Sequence, residues 1–109
     1  MTDCIQVMTT VEERQQGQSI ADRLLAEKLA ACVQVVGPIT SYFLWQGKNE
    51  EAIEYLCLIK SRRHLYEEIE RVIRAMHPYE VPEILAVPVV AGGGAYLAWL
   101  AGEVREEQP

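Results

Sequence analysis

Cysteine and histidine are scarce in this chain, which holds three of the first and two of the second in 109 residues. Cys4, Cys32 and Cys57 are odd in number and include no Cys-x-x-Cys pair. That pattern encodes neither a disulfide framework nor a structural zinc site, so reduced thiols packed as small apolar groups are expected. No run approaches the ~20 apolar residues that a membrane helix needs. Met1-Thr2-Asp3 opens on an acid where a secretory signal carries Lys or Arg, so the expectation is an unprocessed, cytoplasmic chain. Positive charge is also short, with 10 Lys+Arg against 16 Asp+Glu and a net charge of -6. A surface of that sign repels phosphate, which argues against nucleic acid and anionic membranes as partners.

Catalytic signatures are missing as well. Ser41 and Ser61 have no His/Asp motif around them, and neither Gly-x-Ser-x-Gly nor His-Glu-x-x-His occurs. Gly92-Gly93-Gly94 lacks the Lys-Ser/Thr of a phosphate loop and reads as a turn. The chain is therefore not expected to be an enzyme.

What is there fits one folded domain over residues 1–109, since 50% of the residues are apolar and 24% charged. Cys4–Thr10 is a short apolar run rich in β-branched residues, a first strand. Thr10-Val11-Glu12-Glu13 resembles a capping box for a helix running to Ala31, with Ile20, Ala21, Leu24, Leu25 and Leu29 on one stripe. Cys32 to Ile59 shows no helical period and divides into two strands about the turn-like Gln46-Gly47-Lys48-Asn49-Glu50, with Gly37-Pro38 predicting a bulge in the first arm. Leu65, Ile69, Val72, Ile73 and Met76 repeat at helical spacing until Pro78. Ile84–Val90 reads as an edge strand because Pro88 interrupts it, Tyr96–Val104 as a short helix, and Arg105–Pro109 as a frayed polar end.

Strand, helix, strand, strand, helix, strand is the order of the split βαβ or ferredoxin-like fold, an α+β architecture with both helices on one face of an antiparallel sheet. A last helix follows. At ~3.3 Å per residue each hairpin arm spans about 40 Å, whereas a compact chain of this size has a radius of gyration of about 13 Å. The hairpin must overhang its own subunit. Tyr55–Ile59 and Ile84–Val87 are apolar in both parities, so both sheet faces need cover, and one short helix is too little for the second. Neighbouring copies of the chain are the expected cover.

Four segments together resemble the CutA divalent-cation tolerance family: Ala26–Val33, Ser41–Lys48, Ile59–Arg62 and His77–Ile84. The resemblance implies a homotrimer of ferredoxin-like subunits arranged as in the PII nitrogen-signalling proteins, an association with tolerance to divalent metals, notably copper, and no established reaction. It also implies that Trp45, Lys48, Lys60, Tyr79, Glu80 and Glu83 match positions lining a groove between subunits. Such a cleft suits a small polar ligand.

His77 is the candidate metal ligand, its imidazole lying near carboxylates on a proline-stiffened chain, and Cys32 is the second. The alternative for His77 is to end the second helix, and for Cys32 to pack as an inert thiol. Some metal-binding relatives have a cysteine where this chain has Thr9 and a second histidine where it has Met76. A ready-made set of three ligands is thus missing, and any Cu²⁺ or other divalent cation is expected to bind weakly and not as an obligatory cofactor. Lys60 could instead pair with Glu80 or Glu83 across a subunit boundary. A PII-like sensor of a small metabolite, or a scaffold for a protein partner, is the competing function.

Overall fold

The computed structural model describes residues 2–108; Met1 and Pro109, on which the readings of the two ends partly rest, lie outside them. Strands β1 (Cys4–Val11), β2 (Cys32–Trp45), β3 (Lys48–Arg62) and β4 (Leu85–Pro88) alternate with helices α1 (Arg14–Ala26) and α2 (Tyr66–Met76), and α3 (Gly94–Glu103) closes the chain. The sheet order is β2-β3-β1-β4, with every neighbouring pair antiparallel. This is the ferredoxin-like arrangement. Ile20 and Leu24 of α1 and Ile69, Val72 and Ile73 of α2 bury their stripes against Val7, Val11, Cys57 and Ile59 of the sheet.

Local chemistry explains where the elements begin and end. Thr10 does not cap α1, because Thr10 and Val11 continue β1 opposite Leu56 and Tyr55, where β-branched side chains pack well. The cap forms three residues later, where the Gln16 side-chain carbonyl accepts the backbone N–H groups of Glu12 and Glu13 at 3.1 and 2.9 Å. Nor does α1 reach Ala31. Lys28 adopts a left-handed φ of 56°, and the Leu29 N–H returns to the Leu24 carbonyl at 2.9 Å, a closing turn that drives Leu29 into the core. Gly17 is buried within α1, and a Cβ there would stand 3.1 Å from Cys57 Sγ and 3.3 Å from Val35. Glycine is what lets α1 lie this close to the sheet.

The hairpin turn is only Gln46-Gly47, both at positive φ, because Lys48, Asn49 and Glu50 already pair with Trp45, Leu44 and Phe43. The register slips between Val36 and Ile39, at the expected Gly37-Pro38 bulge. The two arms give the subunit a long axis of 44 Å against 26 and 24 Å. Their distal ends lie beyond the core, leaving Tyr42 at 76% and Leu44 at 74% exposure.

Cross-strand pairing places Met8, Leu56, Leu58, Leu85 and Val87 on the sheet face away from α1 and α2. Leu100 of α3 is buried and Tyr96 lies beside Cys32, but Leu85, Val87 and Val36 remain exposed. The terminal helix therefore covers only part of that face. The last residues are not wholly frayed either: the Arg105 N–H donates to the Lys28 carbonyl at 3.0 Å, and its guanidinium reaches the Glu27 carbonyl and the Glu68 carboxylate, each at 2.8 Å. An arginine with several fixed acceptors holds a chain end that charge composition alone would release.

Candidate ligand groove

The ladder between β1 and β4 ends at Met8–Leu85. Beyond it, His77 serves the free backbone: its Nε2 lies 2.7 Å from the Thr10 carbonyl oxygen. His77 Nδ1 accepts the Tyr79 N–H at 3.1 Å, so the ring hydrogen belongs on Nε2, which donates to Thr10. The His77 N–H also caps α2 on the Ile73 carbonyl at 2.8 Å. Both ring nitrogens are thus engaged, and an ion at His77 would have to displace one of these bonds.

The same turn delivers Tyr79, whose ring lies 4.9 Å from that of His77 and whose hydroxyl donates to Glu54 Oε2 at 2.9 Å. Glu54 is only 7% exposed. Burial, and then the bond to Glu54, push the Tyr79 phenol up to about 12. Because the folded phenol holds its proton more tightly than one at the ordinary value of 10, its contribution to stability is complete below pH 10 and fades as pH rises through about 12. In Tyr79→Phe this part of the alkaline fall in stability should vanish, as denaturation at several pH values will show; an unchanged alkaline profile would refute the assignment.

Above this pair opens a groove of about 790 Å³. Ser41, Phe43, Trp45 and Glu50 of the hairpin line one side, and Tyr79, Glu80, Val81 and Glu83 of the loop before β4 line the other. Four of the six expected groove residues, Trp45, Tyr79, Glu80 and Glu83, therefore meet within one chain. Lys48 stands at the hairpin tip opposite Trp45, outside the lining. Lys60 lies toward the other end of the sheet, opposite Gln6, where within this one chain its Nζ donates to the Gln34 side chain.

Cys32 is opposite Lys60, at the level of Gln6, whereas His77 touches β1 at Thr10. Within one chain the two candidate metal ligands are not brought together. Among the described residues no group of three or more His, Cys, Asp or Glu side chains converges as a metal site. Glu54 is the residue that sequence reading missed. Its signal was a single carboxylate between Ile53 and Tyr55, in a strand otherwise turning apolar. A second depression, of about 880 Å³, lies between α2 and the outer edge of β4 and contains none of these residues.

The profile of the family described as CutA1 divalent ion tolerance protein matches residues 5–103. The chain belongs to the CutA1 family. Its relatives include the divalent-cation tolerance protein CutA of Thermus thermophilus, 42% identical over 94 residues, which are 86% of this chain and 91% of that protein. The chloroplastic CutA of Arabidopsis thaliana is 41% identical over 101 residues, 93% of this chain but 56% of that protein. The chain thus spans little more than half the length of that plant relative.

The solved Thermus thermophilus CutA1 superposes with a TM-score of 0.91 at 38% identity, covering 94% of this chain and 99% of the other. CutA1 of Oryza sativa gives 0.91 at 38% identity, with 95% of each chain covered.

Proposed function

We propose that the chain acts in divalent-cation tolerance as a homotrimer without catalytic activity, and that its groove is the surface that meets ligands. The observation that carries this reading is the groove itself, in which Glu50, Glu54, Glu80 and Glu83 come together with no Lys, Arg or His in the lining among the described residues. Its charge favours a cation, but without three convergent ligands a metal ion is met weakly, with its water retained. Neither Cys32 nor His77 is needed for that contact. Trimer formation is supported by the uncovered apolar face and by two sheet edges, on β2 and β4, with no strand beyond them among the described residues. Placement in the cytoplasm fits the three free thiols.

Isothermal titration with Cu²⁺, run beside sedimentation, tests the proposal. The expected results are a mass three times the 12.3 kDa of one chain and weak Cu²⁺ binding that is lowered several-fold in Glu50→Gln/Glu83→Gln. A 12.3 kDa particle removes the trimer, and absence of any heat removes the metal contact. The sensor reading is favoured by the aromatic part of the groove wall, Phe43, Trp45 and Tyr79, which a hydrated ion does not use.

A further inference from the structure

We propose that the groove binds a small alkylammonium ion, its charge held by Glu54 and its carbon body by the aromatic wall; this rests on the reading of the groove as a ligand surface and names the ligand class. Three independent features meet there. Size is the first: about 790 Å³ is far more than a bare ion occupies, and no three ligating side chains converge on any point among the described residues. The groove is shaped for a molecule with a body.

The second is the state of Glu54. A carboxylate taken out of water needs a counter-charge. Glu54 is more than nine-tenths buried and among the described residues forms no salt bridge; the neutral Tyr79 phenol donates to Oε2, and Oε1 is left facing the open groove. Among the described residues no side chain supplies the balancing charge, which is left to an incoming group. Third, Trp45 and Phe43 share one hairpin face with Glu54 and Glu50, because residues 41, 43 and 45 pair with residues 52, 50 and 48; Lys48, at the far end of that face, does not line the groove. Ring faces attract cations, and an ammonium carrying methyl or methylene groups gains both that attraction and apolar contact. An anion would meet four carboxylates with no compensating positive charge in the lining among the described residues.

The test titrates the intact protein, freed of metal with EDTA, with choline and with its uncharged tert-butyl isostere, following heat and tryptophan fluorescence. Choline is expected to bind about tenfold or more tighter than the isostere. Glu54→Gln, which keeps an acceptor for Tyr79, should weaken choline about tenfold and leave the isostere unchanged. Trp45→Leu, at a position 51% exposed and so harmless to folding, should weaken it several-fold. No choline binding, or equal binding of the isostere, overturns the proposal. Choline binding without Cu²⁺ heat upholds it while removing the metal contact; Cu²⁺ heat without choline binding does the reverse.

Discussion

Leu58→Glu is expected to sediment as a single 12.3 kDa subunit, and the parent chain, by the proposed assembly, at three times that mass. Leu58 sits mid-strand on the sheet face turned away from α1 and α2, opposite Met8 on one side and Gln34 on the other. In one chain the position is partly open, so a glutamate there keeps much of its water. In an assembly that covers the face, the same carboxylate is stripped of solvent with no partner, at a cost of several kcal/mol. The opposing gain is modest: covering the exposed remainder of Leu85, Val87 and Val36 is worth about 1 kcal/mol for each side chain. One buried charge therefore outweighs a good part of the face. Far-UV circular dichroism should stay close to that of the parent, since the core of Val7, Ile20, Ile59 and Ile73 lies on the opposite side. A variant that assembles at full mass would show that this face is not the contact.

The need for that cover was legible in sequence because it depends on parity alone. Tyr55 to Ile59 leaves no polar side, and strand geometry converts the run into two apolar faces. Hairpin length and the Gly37-Pro38 bulge were legible for similar reasons. The turn at Gln46-Gly47 was read too long because Lys48, Asn49 and Glu50 have turn-like composition, whereas cross-strand pairing with Phe43–Trp45 outweighs that preference. The cap of α1 was misplaced by the same competition, with the β1 ladder claiming Thr10 before its hydroxyl could serve a helix. Arg105 was hidden because its acceptors, on Glu27 and Glu68, are remote in sequence.

The groove divides along the same line. Trp45, Tyr79, Glu80 and Glu83 were found through their motifs, and they converge because hairpin and loop meet above β1. Glu54 escaped because its importance comes from burial, which is a property of the fold around it. The acidity of the lining escaped too. Lys60 belongs to the same set of family positions, yet within one chain it is held at Gln34, and the part of the cleft that one chain supplies is lined by carboxylates and aromatic rings. That acidity is what the proposal of a cationic ligand rests on.

His77 gives the other large expected effect: His77→Ala should lower the unfolding free energy by about 2–4 kcal/mol with EDTA present throughout. The substitution removes the donor to the Thr10 carbonyl and the acceptor of the Tyr79 N–H, the first of them on a buried residue. Each orphaned buried group costs about 1–3 kcal/mol, and the packed Tyr79 ring loses its neighbour as well. His77→Gln, whose side-chain amide can still donate, should recover part of the loss. The magnitude separates two roles for the imidazole. A residue kept to hold copper contributes nothing to the metal-free protein, so parent and His77→Ala would then unfold at the same denaturant concentration in EDTA and differ only when Cu²⁺ is added. A residue that ends the β1 ladder and aims Tyr79 at Glu54 is missed whether metal is present or not. Equal stability in EDTA would return His77 to the list of metal ligands, and with it the need to explain how an ion displaces two bonds of 2.7 and 3.1 Å.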